Sequence, residues 1–403
     1  MTRLCWGGAE SGNLRGDGNE VAVSVVAPAV DATIAHSGLY SYKVTAAGSG
    51  MRAATTAVDG RWLYARCWFR FDALPTITTD ILRWYVNNNS SSMSADVRLQ
   101  SDGKLLYEFL GGFSQLSPAV SVNTWVCVEF AVRGRVGIGY DGIFRFNGVT
   151  LGTPMFTSNT GVTLTTIPDA CRFGYLSALS SPLTTVWLDD IALNDDSGSS
   201  QNSWPGTDGK IVHLVPVSDS AVGSDWKSNT LTAFSPGAYD CLNNRPIVNN
   251  AFGTGGAQIQ TRDNVANVTA PASNLDVTTE PYSTYLGSGD EVKLCQHRFF
   301  IGDSSGTNQP QVAGQITSNP AEASETVYTS LVAAATTALN SGWKEGFGPI
   351  LSQPSVNKAN GAVLRTGKRT ASTDSVGCCY AALQVEYGPS TAPTGFRRFL
   401  AVA

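Results

Sequence analysis

Apolar and polar residues alternate along most of this chain, and clusters of turn-forming residues interrupt the alternation about every 8 to 15 positions. The run from Trp62 to Phe71 is the clearest. Leu63, Ala65, Cys67, Phe69 and Phe71 share one face, and Trp62, Tyr64, Arg66, Trp68 and Arg70 share the other. A period of two held this long predicts a strand with one buried face. The same pattern predicts strands at Ile81–Val86, Ala95–Leu99, Lys104–Phe109, Thr124–Arg133, Ile143–Phe146, Cys171–Tyr175 and Thr184–Leu193. Earlier segments lie near Glu20–Ala27, Leu39–Ala46 and Arg52–Val58. No segment has a convincing helical period; Val332 to Leu339 is Ala-rich, but its Thr residues argue against a helix.

The stretch from Asn194 to Lys210 is dense in Asp, Ser, Asn, Gly and Pro and lies between two apolar runs, which marks a boundary. With 403 residues the chain suits two domains of roughly 200 residues each. The expected division is a first sandwich over 1–195, a linker over 196–210, a second sandwich over 211–388 and a tail over 389–403. That tail ends in Phe-Arg-Arg-Phe-Leu, an amphiphilic segment suited to docking on a neighbouring subunit. The halves also look like distant copies. Cys67-Trp-Phe-Arg-Phe matches Cys295-Gln-His-Arg-Phe, Trp125 and Trp343 each open a later strand, and Thr184–Leu193 and Cys378–Tyr387 close their halves.

Composition narrows the function. Hydrophobic residues make up 42% of the chain and charged residues 15%, with 41 Gly, a balance that fits packed strands and turns. A net charge of −5 without any basic run gives nucleic acid no footing as a partner. Apolar runs such as Val21 to Val30 are too short and interrupted for a membrane span, and Met1 to Gly8 leads into no secretory h-region. Eight irregularly spaced Cys read mostly as buried thiols of a protein folded in a reducing cytoplasm. In a strand, adjacent Cys378 and Cys379 would point to opposite faces, one toward the core and one toward another subunit.

Two resemblances follow from these segments. Gly8-Ala9-Glu10-Ser11-Gly12, the run His36 to Val44, and Trp187-Leu188-Asp189-Asp190-Ile191-Ala192-Leu193 resemble concanavalin-A-like, laminin-G-like jelly rolls and related carbohydrate-binding sandwiches. The expected fold is therefore all-β: two tandem jelly-roll-like antiparallel β-sandwich domains. The run Leu188 to Asp195, then Ser197-Gly198, Asn202-Ser203-Trp204-Pro205-Gly206 and a strand ending Leu214-Val215-Pro216, resembles a junction found in virion proteins of tailed phages. Such proteins are minor tail, tail-fibre or capsid-decoration components. The resemblance implies a virion protein, made in the host cytoplasm, that assembles with other phage virion proteins and as a homo-oligomer. It also leaves room for contact with host surface glycan.

Candidate chemistry is sparse. Gly302-Asp303-Ser304-Ser305-Gly306 matches a nucleophile elbow, but the residues after it lead toward a strand, and His297 has no evident third partner. Glycoside hydrolysis needs paired carboxylates; no single strand carries such a cluster, and adjacent Asp189 and Asp190 would face opposite ways. The three His are too scattered for zinc. A non-enzymatic protein without an obligatory cofactor is expected. The resemblance to carbohydrate-binding sandwiches implies a structural calcium at Glu10 with Asp189 or Asp190, since hard cations prefer carboxylate and carbonyl oxygens. The alternative is that the aspartates merely end a strand and bond to a loop. Finally, Trp62, Tyr64, Arg66, Trp68 and Arg70, with Arg83 and Tyr85 of the next strand and Arg98 beyond, would form an aromatic and guanidinium platform. It is expected to meet another subunit or a glycan, or else to be an ordinary solvated face with stacked Arg.

Overall fold

A computed structural model of the protein describes residues 3–10, 21–23, 28–86, 91–109, 112–175, 183–197, 201–223, 226–228, 237–242, 259–261, 273–303, 311–328, 344–369 and 376–390. Val332–Leu339, Ser304, Trp343 and residues 391–403 of the expected tail lie outside these.

Among its described residues the first half carries fifteen strands. They are β1 (Arg3–Gly7), β2 (Val21–Val23), β3 (Ala29–Asp31), β4 (Ser41–Val44), β5 (Gly50–Ala54), β6 (Trp62–Phe71), β7 (Thr79–Val86) and β8 (Ser91–Leu99). Then come β9 (Lys104–Phe109), β10 (Phe113–Ala119), β11 (Val126–Arg135), β12 (Gly139–Phe146), β13 (Val149–Ser158), β14 (Pro168–Gly174) and β15 (Val186–Asp195). They form two antiparallel sheets. Sheet 1 runs β13-β12-β11-β6-β15-β4-β3, with β1 also on β15, and sheet 2 runs β10-β9-β8-β7-β14-β5-β2. The alternation seen in the sequence closes the core between them. Leu63, Ala65, Cys67, Phe69 and Phe71 of β6 meet Trp84 of β7, Val97 of β8, Tyr107 of β9 and Phe173 of β14. Local turn chemistry fixes the hairpins: Asn147-Gly148 joins β12 to β13 with φ of 47° and 78°, the left-handed pair a two-residue hairpin demands.

The second half repeats the plan with β16 (Lys210–Leu214), β17 (Pro216–Val222), β18 (Trp226–Ser228), β19 (Ile259–Thr261), β20 (Ser273–Thr279) and β21 (Asp290–Asp303). These are followed by β22 (Val312–Ser318), β23 (Thr326–Tyr328), β24 (Lys344–Phe347), β25 (Leu351–Ser352), β26 (Val363–Lys368) and β27 (Val376–Pro389), with a short α-helix, α1 (Ala238–Leu242), among the described residues. Sheet 3 runs β18-β19-β27-β21-β24, with β16 on β27 and β25 on β21, and sheet 4 runs β17-β20-β26-β22-β23. The protein is thus an all-β, antiparallel sandwich protein. The segments matched between the halves hold equivalent places. In each, the closing strand (β15, β27) pairs with the strand carrying the Cys-x-x-Arg-Phe match (β6, β21), and the half's first strand (β1, β16) pairs with the closing strand. Cys67 and Phe71, like Cys295 and Phe299, point into their cores. Among the described residues, the side chains of Cys67, Cys127, Cys171, Cys295 and Cys378 are buried. Cys378 belongs to the second core, and burial pushes its thiol up to about 12; the side chain of Cys379 is outside the described set.

The two sandwiches pack through the outer faces of sheets 1 and 3. Trp6, Ile211, Leu294 and Ile350 make an apolar cluster between them. Around it lie buried polar groups: Trp6 Nε1 donates to Gln296 Oε1 (3.3 Å), and Gln384 Nε2 donates to the Trp6 carbonyl (3.3 Å). The segment expected as a linker is pinned to the body. Trp204 meets Tyr64 edge-on and Arg145 face-on, and Gly206 N–H donates to Glu129 Oε1 (3.0 Å).

At the β3 edge of sheet 1, Asp31 joins β3 to β15. Burial alone would raise its carboxyl, but the Thr33 hydroxyl, the Trp187 indole N–H (2.9 Å), the Thr33 amide and the charge of Lys43 outweigh it and hold the pKa at about 2, below the ordinary 3.8. A depressed acid stabilises fully above its unfolded value and loses that contribution as pH falls from 3.8 through about 2. Asp31→Asn is expected to cost about 2 kcal/mol at neutral pH and nothing below the window. Urea melts of both proteins across this range should therefore converge at the acid end; parallel curves would contradict the assignment.

Candidate functional site

The eight residues expected to form one platform are divided by the fold. Trp62, Tyr64, Arg66, Trp68 and Arg70 lie on β6 in sheet 1, whereas Arg83 and Tyr85 lie on β7 and Arg98 on β8, in sheet 2. Although β6 and β7 follow each other in sequence, the chain between them crosses from one sheet to the other. Their outer faces therefore look in opposite directions, and no single platform exists.

The β6 face is also largely occupied by other side chains of the protein, with Trp62, Tyr64, Trp68 and Arg70 partly buried. Arg66 is fully buried; its Nε donates to the Asp190 carbonyl (3.0 Å), and Nη1 donates to the Gly206 carbonyl (2.9 Å) and pairs with Glu386 Oε1 (3.1 Å) of the second sandwich. Trp68 stacks on His36 with centroids 3.7 Å apart. Trp62 lies under Arg133 at 4.6 Å, and Arg70 lies over Trp187 at 5.4 Å. The partner of this face is largely the chain itself. An alternating strand predicts solvent or a partner on its polar side; here the first sandwich itself supplies most of that partner, and the second sandwich supplies it for Arg66.

Glu10, Asp189 and Asp190 do come together, all fully buried. Strict alternation would separate the two aspartates. A bulge in β15 between Asp189 and Ala192, with Asp190 at φ 46°, brings both to one loop. Asp189 Oδ2 accepts from the amides of His36 (2.7 Å) and Ser37 (3.2 Å). Asp190 Oδ1 accepts from the Ser37 hydroxyl (2.7 Å) and the Ile211 amide (2.7 Å), and Oδ2 lies 2.6 Å from His36 Nδ1. Glu10 accepts from the amides of Leu39 and Tyr40. Burial, then the charges of Asp190 and Glu10, raise the Asp189 carboxyl well above its ordinary range. The carboxylate oxygens are thus used by N–H and O–H donors, and among the described residues no group of three or more His, Cys, Asp or Glu is arranged to hold a metal ion. This donor set fits a clamp on the 36–40 loop and on the start of β16, not a cation.

The outer face of sheet 2 holds the remaining chemistry. Cross-strand register places Arg52, Arg172, Arg83, Asp96 and Glu108 in one row across β5, β14, β7, β8 and β9. Arg98, on the neighbouring row, contacts Asp80 Oδ1 (2.8 Å), Asp96 Oδ2 (3.1 Å) and Glu108 Oε2 (2.6 Å). Arg83 pairs with Asp80 (2.6 Å) and lies 3.6 Å from Asp96. Burial raises the Asp96 carboxyl; Arg98 pulls it down and Asp80 pushes it up, leaving it above its ordinary value. Arg172 stacks over Tyr85 at 4.5 Å. The carboxylate cluster sought along one strand thus exists across three. Its signal was available, since Asp80, Asp96 and Glu108 each occupy a polar position of consecutive strands.

In the second sandwich His297 has the partners that the sequence did not reveal: Glu322 Oε1 at 3.0 Å from Nδ1 and the Tyr328 hydroxyl at 2.9 Å from Nε2. His297 is fully buried.

No family model matches the sequence, and no curated protein matches it. Among solved structures, the cellulose-induced protein Cip1 is similar over 43% of this chain and 86% of its own, with 22% identity and a TM-score of 0.30. The endo-β-1,4-glucuronan lyase of the fungus Trichoderma reesei is similar over 48% of this chain and 95% of its own, at 12% identity and TM-score 0.33. A Trypanosoma rangeli sialidase covers 43% of this chain and 30% of its own, at 14% identity and TM-score 0.30. No helix among the described residues is long and apolar enough to cross a membrane.

Proposed function

We propose that this protein is a non-enzymatic structural subunit of a tailed-phage virion, a minor tail, tail-fibre or capsid-decoration component that acts in assembly. The observation that carries the reading is the segment from Leu188 to Pro216, which resembles the junction of such proteins. Its place in the fold suits a load-transmitting subunit. The segment runs through a strand buried along its length and a pinned connection, so that the two sandwiches form one body. Neighbours have edges to add to. The edge strands β10 and β13 leave Phe113, Leu116, Val149 and Phe156 exposed, apolar surface for contact with another chain.

The test is to purify particles of the encoding phage on a density gradient, then quantify this chain by mass spectrometry and locate it by immunogold labelling. A fixed copy number and one labelled location are expected. Its absence from intact particles, with the chain left in the lysate, would overturn the reading. A second reading, recognition of a glycan, is favoured by one observation, the arginine and tyrosine face of sheet 2.

A further inference from the structure

We propose that residues 203–209 form a pH-sensitive latch between the two sandwiches, closed while Glu129 carries a proton and loosened when it ionises. The device goes beyond the assembly reading, and its operation does not depend on a virion.

The latch lies over three side chains on adjacent strands. Glu129 of β11 stands directly opposite Arg66 of β6 on one side and Arg145 of β12 on the other. A carboxylate between two guanidinium groups in register is expected to pair with them. It does not, because both arginines are engaged elsewhere. Arg66 Nη1 donates to the Gly206 carbonyl of the latch (2.9 Å) and pairs with Glu386 (3.1 Å). Arg145 lies over the latch residue Trp204 at 4.4 Å, and its Nε donates to the Thr150 hydroxyl (3.3 Å). Glu129 keeps one bond to the latch, from the Gly206 amide to Oε1 (3.0 Å). Its Oε2 has no hydrogen-bond partner, nor has Arg66 Nη2, although both atoms are buried. A donor and an acceptor on opposed residues are thus left unjoined.

Two arrangements therefore compete for the same guanidinium groups. With the latch closed, Arg66 and Arg145 hold it down and Glu129 is fully buried without an ion-pair partner of its own. Lifting the latch admits water and frees both arginines to turn to Glu129. An ionised carboxylate gains far more from that exchange than a neutral acid, which bears burial at lower cost and still accepts from Gly206. Such a difference between two states is what a switch requires. The charges facing Glu129 agree. Burial raises its carboxyl most; the Gly206 amide, Arg66 and Arg145 lower it, and Asp208 of the latch raises it, leaving it above the ordinary 4.5. Glu386 and Asp190 bear on Arg66, which stays charged. Burial pushes the Cys127 thiol and Tyr107 hydroxyl well up, so both stay neutral. A raised acid contributes in full below 4.5, and the contribution is lost as pH rises through the raised value. Closing thus takes up a proton, and the latch loosens toward neutral pH.

The experiment is amide hydrogen exchange of the full chain from about pH 5 to about pH 8, with each rate divided by its intrinsic rate at that pH. The Gly206 amide reports the latch directly, and the amides of β8 in sheet 2 serve as the internal reference. Protection of the latch is expected to fall at least threefold across the range while that of β8 holds. Glu129→Gln keeps an acceptor for Gly206 and cannot ionise, so its latch should stay protected at every pH. Trp204→Ala, a change at a partly exposed position, should leave the latch poorly protected even at the acid end. Flat protection in the parent would overturn the proposal. So would the same fall in Glu129→Gln, which would assign the titration to another group. Full protection in Trp204→Ala would show that Arg145 does not hold the latch, and would remove the competition on which the switch depends.

Discussion

Glu386→Ala is expected to destabilise the protein by about 3–5 kcal/mol, the cost of stripping a buried ion pair of one partner. Two cations depend on this carboxylate. Arg66 Nη1 lies 3.1 Å from Oε1, and Arg3 Nη2 lies 2.7 Å from Oε2, although off the line of a good hydrogen bond. Arg66 is fully buried, Arg3 is 4% exposed and Glu386 1% exposed, so water cannot replace the lost charge without opening the interface. Opening is therefore the expected response. The 196–210 segment should become sensitive to limited proteolysis, because Pro205 and Gly206 are held by the same guanidinium. Gly209 belongs to this arrangement too: a Cβ there would sit 2.1 Å from Glu386 Oε1, so the close approach requires glycine. The triple variant Arg3→Met, Arg66→Met, Glu386→Leu should recover much of the loss, since an apolar replacement of a buried ionic group is often neutral. If Glu386→Ala melts within about 1 kcal/mol of the parent and the segment stays resistant, the two sandwiches are held by their other contacts, the Trp6 cluster and the Asp190–Ile211 hydrogen bond among them.

Arg66 also shows why the sequence reveals the strands more readily than the site. Its position within β6 followed from alternation, which depends only on neighbours two residues apart. Its burial depends on Glu386, 320 residues away, and no local pattern distinguishes an arginine facing water from one facing a second domain. The same holds for Arg83, Tyr85 and Arg98. Each lies on the polar side of its strand, but which sheet that strand joins is decided by the crossing after Phe71. Asp189 and Asp190 are a different case. Alternation holds on either side of them, and a single bulge reverses the inference for the pair. Two acids in succession within an apolar strand were the only available warning. Arg52 and Arg172 were passed over because their strands are far apart in sequence and meet only when β5 pairs with β14.

Glu322→Ala should cost about 2–4 kcal/mol, from two buried donors losing their acceptor at once. Oε1 lies 3.0 Å from His297 Nδ1, and Oε2 accepts from the Ile316 amide at 2.9 Å. Neither donor can turn to water: His297 and Ile316 are fully buried. Unlike the Glu386 substitution, this one lies within the second sandwich, joining β21 to β22 and, through Tyr328, to β23. Hydrogen exchange should then show faster opening of β21, β22 and β26, with the amides of β6, β11 and β15 protected as before. Glu322→Gln retains one acceptor oxygen and should cost about half as much. The comparison also measures how far the sandwiches are coupled. If β6 and β11 exchange faster by the same factor as β22, the shared interface joins the two cores into one cooperative unit, and the Glu386 substitution would then weaken both together.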